Sequence, residues 1–144
     1  MILIIKRTRK RRSMPFKEIG QILKIFFPKT KHYKTGKGFF KHVFVIYSDK
    51  RKLVLKIGRN RKHIRKDYTT YLSLPQNIRT RYFAKIYWRH GLFLLQKFGG
   101  DVNVPDKELK RLKDIGKKYR LRDIRKDNIM KIDGKFKIVD AERK

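Results

Sequence analysis

Cysteine is absent from this 144-residue chain, so neither a disulfide nor a thiolate zinc site is open to it, and a reducing cytoplasmic setting suits it. No apolar run approaches the length of a membrane span. The start is apolar from Met1 to Ile5 and basic from Lys6 to Arg12, the reverse of a signal peptide's order. Acids are the scarce charge: 12 Asp plus Glu stand against 42 Lys plus Arg, a net +30. Only Glu18, Asp49 and Asp67 fall in the first hundred residues, so most of the positive excess lies there. Such a field attracts polyanions, whether RNA or ribosomal surface, anionic membrane or nucleotide phosphates. A lysine-rich surface also arises with no such partner. No internal repeat or low-complexity segment is evident, and the length allows one domain with a single core.

Ser13 has the character of an N-cap, and Ile19, Ile22, Leu23 and Phe26 recur at helical spacing, which predicts an amphipathic helix over 14–27, ended by Pro28. With the basic arm Lys6 to Arg12, it forms an N-terminal extension, residues 1–29. Val43 to Tyr47 and Lys52 to Ile57 are strand-like around a turn at Ser48-Asp49-Lys50. Ile64, Tyr68, Tyr71 and Leu72 predict a helix over 61–74, stopped by Pro75. Two further strands, Tyr82 to Trp88 and Leu92 to Phe98, flank Arg89-His90-Gly91. From Pro105 a helix carries Leu109, Leu112, Ile115 and Tyr119 on one face, with Asp106 and Glu108 in its first turn. The expected class is α+β, with an antiparallel sheet plus helix over 30–98 and a smaller unit over 99–144.

Near the end of the chain, Ile129 to Ile132 and Phe136 to Val139 flank Asp133-Gly134, the dipeptide of a tight type I′ hairpin. That turn pairs Ile132 with Lys135 and Ile129 with Ile138, and it is expected to bring Asn128 and Asp140 roughly 5 Å apart at the open end. A carboxylate and an amide oxygen held together suit a hard cation such as Mg²⁺. Asp123 lies five residues upstream of Asn128, on the entering loop. Turn chemistry alone also places Asp and Asn at strand ends, so a solvated hairpin is the competing account.

Arg122-Asp123-Ile124-Arg125, with Asn128 after it, resembles the catalytic loop H-R-D-L-K-x-x-x-N of kinases, and Asp140 falls where the metal-binding Asp of D-F-G belongs. Gly36-Lys37-Gly38-Phe39-Phe40 followed by Val43 resembles the glycine-rich loop, with Lys41 in place of its third glycine. Leu53 to Ile57 resembles the V-A-I-K strand, its lysine being Lys56, and Asp67 takes the place of the helix carboxylate that pairs with that lysine. The chain is thereby similar, over about residues 30–144, to the protein-kinase-like superfamily, which includes RIO kinases and the aminoglycoside and lipopolysaccharide phosphotransferases. Leu121 stands for the usual His, and Asp140-Ala141-Glu142 for D-F-G; the ending through Arg143 is more like the lipopolysaccharide-sugar kinases.

The resemblance implies a kinase-like N-lobe sheet with a truncated C-lobe, and ATP- and Mg²⁺-dependent phosphoryl transfer. Asp123 would orient the attacking hydroxyl and accept its proton, Arg125 would neutralise the γ-phosphate, and Lys56, fixed by Asp67, would hold the α- and β-phosphates. Asn128 and Asp140 would hold the metal. Gly36, Gly38, Lys41 and Val43 would cover the nucleotide, Gln96 to Phe98 would offer backbone groups to adenine, and Asp101 would reach ribose. The acceptor is open between a protein Ser/Thr hydroxyl and a sugar or lipopolysaccharide hydroxyl; either it docks elsewhere, or a partner chain or oligomer completes the site, or the chain binds nucleotide without efficient transfer. The competing expectation is a basic RNA- or ribosome-binding protein with a kinase-like core and little or no catalysis; a third is an anionic membrane surface met by the basic N-terminal half.

Overall fold

The computed structural model describes residues 16–34, 40–48, 51–100 and 102–143. Helix α1, Phe16–Phe26, leads into strands β1, Lys31–Lys34, β2, Phe40–Ser48, and β3, Arg51–Gly58. Helices α2, Arg61–Ser73, and α3, Gln76–Tyr82, follow, then strands β4, Ile86–His90, and β5, Phe93–Lys97. Helix α4, Asp106–Lys118, precedes short strand β6, Leu121–Arg122; β7, Ile129–Ile132, and β8, Lys135–Ile138, form a hairpin, and β9, Glu142–Arg143, returns to β6. Five strands make one antiparallel sheet in the order β1-β2-β3-β5-β4. The class is α+β, as the sequence predicts.

Alternation divides the sheet's two faces. Phe44 and Ile46 of β2 and Leu55 and Ile57 of β3 point to one side, where Phe16, Ile19 and Leu23 of α1 cover them. His42 lies on that side too, its ring stacked 3.5 Å from that of Phe16 and its Nδ1 2.7 Å from His32 Nε2. Val43, Val54, Lys56, Leu94 and Gln96 point to the other side, toward α2, whose Ile64 packs with Leu94, Val43, Tyr68 and Ile86. Asn60 caps α2, its side chain accepting from the His63 N–H at 3.1 Å.

A separate apolar cluster joins α3, α4, β6 and the hairpin through Tyr82, Phe83, Leu112, Leu121, Ile124, Ile129 and Ile138. Leu112 is wholly buried, which on area alone favours the fold by about 2 kcal/mol. The hairpin has the expected register, Ile129 opposite Ile138 and Ile132 opposite Lys135. Asp133 and Gly134 take φ of 52° and 78°, the left-handed pair that a type I′ turn requires. The chain passes from the sheet to this unit at Gly99, where any Cβ would collide with the Lys131 carbonyl.

One expectation needs correction, and one helix is additional to those expected. Tyr82 to Lys85 is not strand: Tyr82 ends α3, and β4 begins at Ile86. Pro75 stops α2 but also starts α3, its carbonyl accepting from the N–H groups of Ile78 and Arg79 at 3.0 Å each, the common use of proline at a helix start. Strands β1, β6 and β9 have too few residues to show an alternating pattern. Among the described residues no helix is long and apolar enough to cross a membrane.

Candidate functional site

Lys56 sits in the middle of β3, between Val43 of β2 and Leu94 of β5 in the cross-sheet register. It is flanked along its own strand by Leu55 and Ile57, which point to the α1 side, so its side chain goes the other way. The residue as a whole is half-buried, while its ammonium is deeply desolvated. Burial pushes the Lys56 ammonium below the ordinary lysine value, and the charges of Asp140 and then Asp67 pull it back up. Its Nζ donates to the Val139 carbonyl at 3.4 Å, across 83 residues of chain.

The two carboxylates reach Lys56 from different elements. Asp67 is 9% exposed and lies on the α2 face that also carries the buried Ile64 and Thr70, at spacings of three. The helix must therefore present a carboxylate to the sheet, where a lysine answers it. Asp140 follows Val139 just beyond β8. Lys56, Asp67, Thr70, Gln96, Val139 and Asp140 all line one cavity of about 30 Å³, room for one or two water molecules. Gln96 is buried, and its Nε2 donates to the carbonyls of Val139 at 3.2 Å and Ala84 at 3.5 Å. Among the described residues its Oε1 takes no hydrogen bond, an acceptor left over in a polar cavity.

The loop before the hairpin forms the open side of this region. Strand β6 pairs with β9, Arg122 opposite Glu142, which brings Asp123 back toward the segment holding Asp140. Asp123 is exposed and adopts φ of 64°, a conformation that Asp tolerates better than most residues. Asn128 Nδ2 donates to the Asp123 carbonyl at 2.8 Å. A carbonyl only accepts, so this bond uses the amide's NH₂ end and turns its oxygen away. Arg125 is exposed, its Nε 3.5 Å from Asp127 Oδ1, a surface pair of small energetic weight.

The structure thus brings Lys56, Asp67 and Asp140 together. It does not place Asn128 directly across from Asp140: the Val139 N–H donates to the Asn128 carbonyl at 2.9 Å, so Val139 is opposite Asn128 and Asp140 lies one residue beyond. Asp123, Arg125 and Asn128 are not among the residues lining the cavity. Of the backbone groups of Gln96 to Phe98 expected to meet adenine, two donors are engaged elsewhere. The Lys97 N–H donates to Lys85 O at 2.8 Å and the Phe98 N–H to Lys52 O at 2.9 Å, so both donors are consumed within the sheet. Val43 is half-buried over Ile64 and Leu94, beside Lys56. Gly36, Gly38 and Asp101 lie outside the described residues, as does the side chain of Lys41.

Two contributors were not singled out from sequence: the Gln96 side chain and the Val139 carbonyl. Gln96 had a signal, being the one polar residue on the inward side of a strand that otherwise presents Leu94 there. A backbone carbonyl has none. Among the described residues there is no group of three or more His, Cys, Asp or Glu able to hold a metal ion. The carboxylates that line the cavity are those of Asp67 and Asp140, and Asn128 lies outside it.

A scan against protein-family models finds no match to this chain, and a search of curated proteins finds no match either. The fold and site geometry are thus what bear on function.

Proposed function

We propose that the chain is an ATP- and Mg²⁺-dependent phosphotransferase of the protein-kinase-like superfamily. The observation that carries the reading is the meeting of Lys56 from the sheet, Asp67 from α2 and Asp140 from the hairpin around one cavity. A basic group held between two acids from separate elements is a costly arrangement to bury without a task, and perturbed ionisation of this kind concentrates at functional sites. The strand order of the sheet, with a helix supplying the acid between β3 and β4, is compatible with the same reading.

The residues fit the groups that the reaction needs, at the phosphate end. Asp140 and the Asn128 amide oxygen are hard donors, and Mg²⁺ is commonly held by one or two such protein groups, with phosphates and water filling the rest. Bound there, the metal supplies neutralisation of the charge that builds on the transferred phosphoryl group. Lys56 holds the α- and β-phosphate oxygens, and Asp67 keeps its ammonium charged and aimed. Asp123, exposed at the loop, orients the acceptor hydroxyl and takes its proton. Arg125 leaves its weak surface pair with Asp127 to balance charge at the γ-phosphate. The acceptor is a hydroxyl of a protein Ser/Thr or of a sugar.

Calorimetry with ATP tests this directly. Wild type should bind ATP more tightly with Mg²⁺ than without, and Asp140→Ala should lose the metal-dependent part. Asp123→Ala should keep Mg²⁺-ATP binding and lose turnover, about 10²-fold or more, as expected on removing a general base. Equal, metal-independent binding by wild type and Asp140→Ala would overturn the proposal.

A second reading, a basic RNA-binding protein whose nucleotide site does little chemistry, draws on two observations. The cavity beside Lys56 is about 30 Å³, and the N–H groups of Lys97 and Phe98 are already occupied. Under that reading ATP binds weakly and without dependence on Asp140.

A further inference from the structure

Behind the site just described lies a second, larger concavity of about 580 Å³, bounded by α3, the start of β4, the end of β5 and the β7–β8 hairpin. That volume is in the range of sites that hold whole organic ligands. Its charged lining is one-sided: Arg79, Lys85, Lys97, Lys135 and Lys137 against Asp133 alone. The acid is already engaged, 2.5 Å from Lys97. Lys137 is half-buried and donates to the Thr80 carbonyl, which holds its ammonium over the groove. Its basicity is lowered by burial and then by the charge of Lys135, with Lys97 adding in the same direction. Arg79 stacks its guanidinium 5.5 Å from the Tyr71 ring centre, and among the described residues its Nε is buried with no hydrogen-bond acceptor.

Five cations gathered from α3, the segment before β4, β5 and β8, one of them without an acceptor for a buried N–H among the described residues, form a surface that is short of anions. A single phosphate engages two or three such groups, so the spread from α3 to the hairpin tip calls for successive phosphates. Tyr71, whose ring lies against the Arg79 guanidinium, and the buried Phe83 are among the lining residues, and an arginine plane of this kind is one on which an unpaired base stacks. A duplex keeps its bases inside and offers only its backbone. The net charge of +30 adds long-range attraction for the same class of ligand.

We infer that the groove between α3 and the β7–β8 hairpin is a binding site for single-stranded nucleic acid, its cations holding consecutive phosphates and its Arg79 guanidinium, backed by Tyr71, a base. This site is separate from the Lys56–Asp140 cavity, although Tyr71, Phe83 and Ala84 line both and so form the wall between them. It does not depend on catalysis.

Fluorescence anisotropy with a labelled twelve-residue oligouridylate, titrated at several salt concentrations, tests the inference. Lys85 and Lys135 are exposed, so the double variant Lys85→Gln/Lys135→Gln removes charge from the groove without disturbing packing. It should weaken binding about tenfold and make the salt dependence shallower by roughly 1.4 in log–log slope, two single-strand phosphate contacts. Lys110→Gln/Lys113→Gln, which removes the same charge from the exposed face of α4, should stay within about twofold of wild type. Asp140→Ala should bind the oligonucleotide as wild type does, which separates this site from the phosphotransferase reading. Equal losses in the two lysine variants would overturn the inference, because net charge alone would then explain binding. Displacement by inorganic tripolyphosphate at equal phosphate concentration would overturn it in favour of a small-anion pocket, and a duplex of the same length binding as tightly would remove the single-strand assignment.

Discussion

At the scale of the residue, Lys56 is where sequence, burial and chemistry meet. Burial disfavours the charged form of its ammonium, and the charges of Asp140 and Asp67 offset part of that cost. Because the folded pKa lies below the ordinary value, the unfolded chain holds this proton to higher pH than the folded chain does. As pH rises from the lowered folded value toward that of an ordinary lysine, this group therefore adds to stability rather than subtracting from it. Urea unfolding of wild type and Lys56→Met through that alkaline window should show wild type gaining stability relative to the variant. Binding runs the opposite way. Phosphate affinity needs the ammonium, so Mg²⁺-ATP binding should begin to fall at a pH below that of an ordinary lysine, and Lys56→Arg should flatten that fall, since guanidinium stays protonated. The residue's place was legible: one lysine between two apolar neighbours in a strand must be turned inward or break the alternation. Asp67 was legible by the same logic, as the single acid on a helix that has to face the sheet.

At the scale of the element, the β7–β8 hairpin shows what short-range chemistry specifies. Asp133-Gly134 sets the turn, and the turn sets every pairing from Ile132–Lys135 to Ile129–Ile138. Gly134→Val should destabilise the protein by about 1–2 kcal/mol, because φ of 78° suits no β-branched residue; equilibrium urea unfolding measures it. Beneath the hairpin, Leu112→Ala on α4 should cost about 3 kcal/mol, a fully buried leucine replaced by a cavity. The elements that escaped prediction share a cause. Strands β6 and β9 are two residues each, and their pairing joins segments about twenty residues apart, which no local pattern records. Helix α3 was hidden because a proline that ends one helix can open the next. Asn128 was expected opposite Asp140, yet a two-residue turn makes Val139 its partner, and the loop's own bond to the Asp123 carbonyl then governs where the amide faces.

At the scale of the whole molecule, charge exerts an influence that no single contact carries. A net +30 on one domain repels itself in the compact state, so raising NaCl from low to moderate concentration should raise the melting temperature by screening that repulsion. The reverse trend would mean that attractive surface pairs prevail. The sheet and the hairpin unit are stitched together beside Lys56 by one main-chain oxygen, that of Val139, which accepts from Lys56 at 3.4 Å and from Gln96 at 3.2 Å. The lysine's bond is the longer of the two. On the proposed function, an arriving phosphate would draw Lys56 off this oxygen while Gln96 keeps its own bond to it, so the oxygen would not be stranded. Ligand capture would then begin with the swing of one side chain, released from Val139 and from the two acids beside it.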